Sequence, residues 1–182
     1  AGFDAVLVKP VTGSALHDAL LQVTGRPPVP RAAGAGAVDE LEAALINQHQ
    51  GRHVLLAEDN PVNQEVAVEM LRAAGLQVDV AVDGAQAVAM ALSRPYDLVL
   101  MDMQMPGMDG LEATRLLRQR EGPALPIVAM TANAFGEDRA ACLAAGMNDH
   151  VAKPVDPVQL YEALLRWLPD DRAPAAATAR AG

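Results

Sequence analysis

A single cysteine, Cys142, is the only thiol in the chain. No internal disulfide can form, and the sequence fits a reducing, cytoplasmic setting. Aromatic residues are nearly missing, with two Phe, two Tyr and one Trp among 182 residues. Any core must therefore be aliphatic, and a hydrophobic fraction of 51% supplies the material for one. Basic charge is scarce too: 14 Lys and Arg face 23 Asp and Glu, for a net charge of −9. That balance argues against non-specific nucleic-acid binding, which needs cations to neutralise phosphates. No run approaches the ~18 apolar residues of a membrane span, so no membrane contact is expected of this chain. No secretory signal opens it, and no initiator Met does either. The sequence reads as a piece of a longer protein, whose own membrane attachment it does not specify.

What is present is organised around the stretch from Leu98 to Gly110. Leu98 to Met101 is a short apolar run, as expected of a strand buried on both faces. Asp102 follows at once, then a turn at Pro106-Gly107. Asp109 is placed to cap the next helix, with Glu112 at capping-box spacing. A carboxylate at the carboxyl end of a buried strand lies where open α/β sheets place their sites.

Sliding the chain by 144 positions aligns Ala1–Leu21 with Ala145–Leu165, and nine aligned residues are identical, Lys9/Lys153 and Pro10/Pro154 among them. One strand and one helix cannot bury enough surface to fold alone. Residues 1–25 are therefore expected to be the severed last strand and helix of an upstream domain of the same kind. Residues 26–51 read as a linker with a short helix, from Val38 to Gln50, that connects and packs only weakly. Residues 52–168 form the main domain, and residues 169–182 an Ala/Pro-rich tail without periodicity, expected to be disordered.

Within the main domain, strand and helix alternate five times. The strands are predicted at Val54–Ala57, Gln77–Ala81, Leu98–Met101, Ile127–Met130 and His150–Ala152. Helices are predicted to start at Asn60-Pro61, Asp83, Gly110, about Phe135 and Asp156-Pro157. This rhythm implies α/β architecture, a doubly wound five-stranded parallel sheet with helices on both faces. Residues just past the strand ends share one edge of such a sheet. They are Glu58-Asp59-Asn60, Asp102, Thr131-Ala132-Asn133 and Lys153-Pro154.

Three carboxylates gathered this way repel one another. At 4 Å and an effective dielectric near 20, each pair costs on the order of 4 kcal/mol. Either a proton is retained, or a divalent cation resides there. Hard oxygen ligands at an exposed rim favour Mg²⁺, with Mn²⁺ as the alternative. A carboxylate beside such an ion, with a hydroxyl and an ammonium for phosphate oxygens, can accept a phosphoryl group. The methionines at 101, 103, 105 and 108 read as strand-end and loop packing rather than Cu(I) ligands.

The stretches LLAEDNPVNQEVAVEMLRAAG, DLVLMDMQMPGMDGLEATRLLR, PIVAMTANAF and AGMNDHVAKPV resemble the receiver (response-regulator-like) domains of two-component signalling. They are most similar to those of hybrid sensor histidine kinases, and the upstream remnant resembles the end of another receiver. The resemblance implies a flavodoxin-like fold with strand order 2-1-3-4-5. It makes Asp102 the phosphoacceptor, with Asp59, Glu58 (through water) and the Gln104 carbonyl holding Mg²⁺. Thr131 and Lys153 would contact phosphoryl oxygens, and the Met103 and Ala132 N–H groups would complete the cradle. It also implies a cis Lys153–Pro154 peptide, and a switch in which Thr131 is coupled to His150, where the family usually has Tyr or Phe.

The implied donor is the phosphohistidine domain of a histidine kinase, and the implied acceptor a histidine phosphotransfer domain. The chain itself carries no ATP site, so kinase activity would belong to the parent. Two rivals stand beside this reading. One is a pseudo-receiver that works by protein contact without phosphorylation. The other is a Mg²⁺-dependent aspartyl-phosphate phosphatase, which needs a second acid two residues after the nucleophile, where Gln104 stands.

Overall fold

The computed structural model describes residues 33–132 and 137–169. In chain order the elements are α1 (Ala33–His49), β1 (His53–Ala57), α2 (Pro61–Ala73), β2 (Gln77–Ala81), α3 (Gly84–Ser93) and β3 (Leu98–Asp102). They continue with α4 (Gly110–Glu121), β4 (Ile127–Thr131), α5 (Glu137–Ala145), β5 (Asp149–Ala152) and α6 (Pro157–Trp167). The five strands pair in parallel in the order β2-β1-β3-β4-β5, the doubly wound arrangement expected. Residues 1–25, the first part of the linker, Asn133, Phe135 and the tail beyond residue 169 lie outside the described residues.

Alternation along the strands builds two cores. Leu56, Leu100 and Met130 face one way, onto Leu71 of α2 and Leu160 and Leu164 of α6. Leu55, Val99, Met101 and Ala129 face the other way, onto Ala87 of α3, Ala113 and Leu117 of α4 and Cys142 of α5. β3 and β4 are buried at every position, as their uninterrupted apolar runs required. The methionines of the 101–108 stretch belong to this second core.

Helix starts follow their signals. Asn60 Oδ1 accepts the Val62 N–H at 2.9 Å, Asp83 accepts Gln86, Asp109 accepts Glu112 and Asp156 accepts Gln159. Each cap satisfies a donor that the first helical turn leaves unpaired. The strands reach further than their apolar runs, so that Asp102 and Thr131 are the last residues of β3 and β4. No helix among the described residues is long and apolar enough to cross a membrane.

The connector helix differs from expectation. α1 begins at Ala33, inside the stretch read as linker, and runs 17 residues. It does not pack weakly: Leu45 is wholly buried in the α2/α6 core, with Val38 and Leu41 against the same cluster. Below it the Gly51 N–H donates to the Gly75 carbonyl. Tertiary burial of one face stabilises a helix whose Gly34 and Gly36 argue against it on propensity alone.

At the sheet edge, Asp149 ties β5 to the end of α6. It accepts the Trp167 indole N–H at 2.9 Å, the Arg166 guanidinium at 2.8 Å and the His150 N–H at 2.9 Å. Burial pushes this carboxyl up, yet the indole, the backbone N–H and the guanidinium together hold it below the ordinary aspartate value. A depressed carboxyl contributes stability above its unfolded pKa, near 3.9, and loses it as pH falls through the lower folded value. Asp149→Asn should therefore flatten the acid limb of the stability profile below about pH 4. Fluorescence of Trp167, the only tryptophan, reports the transition.

Candidate functional site

The carboxyl ends of β1, β3, β4 and β5 deliver the expected residues to one cleft. Glu58, Asp59, Asp102, Met103, Gln104, Thr131, Ala132 and Lys153 all line it, in a volume of about 440 Å³. Backbone bonds extend the ladder past the strands and fix these positions. Glu58 N–H donates to Ala81, and Lys153 N–H to Thr131 at 2.7 Å. The turn after Asp102 folds back so closely that a Cβ at Gly110 would collide with the Asp102 carbonyl. Only glycine can open α4 at that point.

Glu58 and Asp102 are buried while Asp59 is exposed, and one oxygen of each lies within 4.8 Å of the others. Lys153 Nζ bridges the two buried acids, 2.6 Å from Glu58 Oε2 and 2.6 Å from Asp102 Oδ2. Burial pushes the Asp102 carboxyl up, and the Glu58 charge adds to that. Lys153 and the Gln104 N–H oppose it without cancelling it. Burial alone would lower Lys153, but its bonds to Asp102 and Glu58 leave it above the ordinary lysine value. The peptide between Lys153 and Pro154 is cis, as expected.

One placement departs from expectation. The Met103 N–H does not face the cleft as a cradle donor; it donates to the Met130 carbonyl at 3.1 Å, continuing the β3–β4 ladder. The next N–H, that of Gln104, points inward and donates to Asp102 Oδ1 at 3.1 Å. His150 is half-buried on β5, opposite Ala129, whereas Thr131 is opposite Ala152. The two share a sheet face one alternation apart, and His150 is not part of the cleft wall.

Sequence reasoning missed the residues that hold Glu58. Asn63 Nδ2 donates to Glu58 Oε1 at 3.0 Å, the Asn60 N–H reaches the same oxygen at 3.2 Å, and Gln64 Nε2 donates to the Glu58 carbonyl at 2.6 Å. The signal available was spacing. Asn63 follows the cap Asn60 by three residues, which returns it to the same end of the first helical turn.

This donor set fits a divalent cation. Three hard carboxylate oxygens converge at an accessible rim, and two of them share a single lysine as counter-charge. Asp59 is free to contribute from the solvent side, and the Gln104 residue borders the same cleft. An acidic nucleophile beside a cation, with Thr131 and Lys153 adjacent, suits transfer of an anionic group to Asp102.

Comparison with known proteins agrees with this geometry. Residues 54–165 match the family described as response regulator receiver domain. The sensor histidine kinase GacS of Pseudomonas protegens is 43% identical over 119 residues, covering 63% of this chain and 13% of that protein. Among solved structures, the receiver domain of the sensor histidine kinase PA1611 from Pseudomonas aeruginosa PAO1 is 49% identical with a TM-score of 0.61, covering 64% of this chain and 97% of its own. That structure holds a magnesium ion coordinated in its active-site cleft. The receiver domain of the response regulator Ssk1 from Saccharomyces cerevisiae, crystallised with the histidine phosphotransfer protein Ypd1, is 29% identical with a TM-score of 0.62, covering 65% of this chain and 89% of its own. The chain spans a fifth or less of the length of the curated relatives it matches.

Proposed function

Because this chain belongs to the response regulator receiver domain family, we propose that it accepts a phosphoryl group on Asp102 in a two-component phosphorelay. The observation that carries the proposal is the buried Asp102 carboxylate, held by Lys153 at 2.6 Å beside Glu58 and Asp59. An Asp102 oxygen attacks the phosphorus of a phosphohistidine as the P–N bond breaks. The imidazole leaves with its electron pair, and the product is an acyl phosphate. Glu58, Asp59, Asp102 and the Gln104 carbonyl would hold Mg²⁺ or Mn²⁺, whose charge offsets that on the phosphoryl oxygens.

Lys153 then exchanges its carboxylate contacts for a phosphoryl oxygen, and Thr131 approaches another. The Ala132 N–H and, in place of Met103, the inward Gln104 N–H supply backbone donors. Thr131 and His150 form the switch, and α5, β5 and α6 are the responsive surface. Shifting such a domain from 1:99 to 99:1 needs roughly 5.5 kcal/mol of differential stabilisation, for which these new charge-assisted bonds are the source.

We also read residues 1–25 as the end of a second, upstream receiver, on the strength of the internal repeat. The parent would then be a hybrid histidine kinase. Its phosphohistidine domain is the donor, and a histidine phosphotransfer domain the onward acceptor.

Incubation with acetyl phosphate, with and without Mg²⁺, tests the central reading. Wild type should form a Mg²⁺-dependent adduct, stable in acid and labile in base, and Asp102→Asn should form none. An adduct that persists in Asp102→Asn moves the acceptor elsewhere. Wild type that takes no phosphoryl group from acetyl phosphate or from a phosphohistidine donor is a contact-only module.

A further inference from the structure

From the way Glu58 is held, we infer that Asn63 is a positioning residue for the cation site, keeping the Glu58 carboxylate aimed through the whole phosphorylation cycle. The inference rests on the acceptor reading above and adds a residue to it.

Glu58 is buried, and its two side-chain oxygens are held by different partners. Oε2 takes Lys153 Nζ at 2.6 Å, while Oε1 takes Asn63 Nδ2 at 3.0 Å and the Asn60 N–H at 3.2 Å. These partners differ in permanence. Lys153 also bonds Asp102 at 2.6 Å, and its ammonium is the group that must follow the incoming phosphoryl oxygens. Once it does, Glu58 loses the only cationic partner it has among the described residues, at the moment its orientation toward a cation matters most. Asn63 has no such second duty. It belongs to the first turn of α2, a helix capped by Asn60 at 2.9 Å and fixed to the Glu58 carbonyl by Gln64 at 2.6 Å.

The carboxamide is therefore, among the described residues, the side chain that holds the Glu58 carboxylate both before and after transfer. It donates without adding charge, so it orders the acid and leaves its negative charge for the cation. Groups that orient metal-binding carboxylates in this way typically change metal affinity 10–100-fold when removed.

The test is Asn63→Ala in the full chain. In the metal-free variant Glu58 keeps Lys153 and the Asn60 N–H, so the urea midpoint should fall only slightly. The Mg²⁺ dissociation constant, read by calorimetry without any phosphodonor, should rise about 10-fold or more. Phosphorylation by acetyl phosphate should need correspondingly more Mg²⁺ for half-maximal rate, and return to the wild-type rate at saturating Mg²⁺. A merely structural role would lower the urea midpoint further and leave the Mg²⁺ midpoint in place, which overturns the inference. So does wild-type Mg²⁺ affinity in the variant. If wild type itself binds no Mg²⁺, the acceptor reading falls and this inference falls with it; if wild type binds and is phosphorylated while Asn63→Ala matches it, the inference falls alone.

Discussion

Leu45→Ala is expected to cost about 2–5 kcal/mol, the range for a fully buried leucine whose cavity cannot collapse. Leu45 has no exposed surface and belongs to the same core as Leu71, Leu76, Leu164 and Leu168. Its neighbours on α1 reinforce the contact. A Cβ at Gly75 would touch the Ile46 side chain at 3.4 Å. Tyr161 of α6 donates to the Met70 carbonyl at 3.0 Å, and burial together with Glu42 pushes its phenol up to about 12. A domain trimmed to begin at Arg52, close to the start of the family match at residue 54, should lose more than the point variant. It would uncover the whole patch beneath α1. Urea denaturation followed by Trp167 fluorescence measures both. Equal midpoints for wild type and Leu45→Ala would return α1 to the role of a passive connector.

That helix shows where sequence reading stops. The five strands and their caps were legible because each carries a local signal. Val99 to Met101 is continuously apolar, and Asp83, Asp109 and Asp156 stand where a first turn needs an acceptor. Asp102 and Lys153 were legible because strand ends in a parallel sheet converge on one edge, so residues 51 apart must meet. α1 has no such constraint. Its apolar positions are few, its first turn carries glycines, and its partner surface on α2 and α6 exists only once the sheet has formed. The clamp on Glu58 was hidden for a similar reason, since an asparagine in a first turn reads as a cap neighbour until the strand end beside it is placed. Register decided the cradle donors as well. The Met103 N–H continues the ladder to Met130, so the inward donor falls one residue later, at Gln104.

Lys153→Met should destabilise the metal-free protein by about 3–5 kcal/mol, the cost of breaking a buried ionic contact by removing one partner. Glu58 and Asp102 expose 2% and 5% of their side chains, and Lys153 is the cation between them. Without it, two carboxylates within 4.8 Å of each other repel. At an effective dielectric near 20 that repulsion is on the order of 3–4 kcal/mol. Two conditions should relieve it. Acid is the first. Asp102 is already raised by burial, and removing the ammonium raises it further. A raised carboxyl costs stability above its folded pKa and less as pH falls through it, so the gap between variant and wild type should close on acidification. Mg²⁺ is the second, because a divalent cation supplies the charge the lysine took with it. The variant should therefore gain more stability from Mg²⁺ than wild type does, while its phosphorylation by acetyl phosphate falls, since no ammonium is left to meet the phosphoryl oxygens. Denaturation of both proteins across pH, in EDTA and in Mg²⁺, separates these effects. Wild-type stability for Lys153→Met in EDTA at neutral pH would mean that one of the two acids keeps a proton of its own, and that the lysine is held for transfer rather than for the fold.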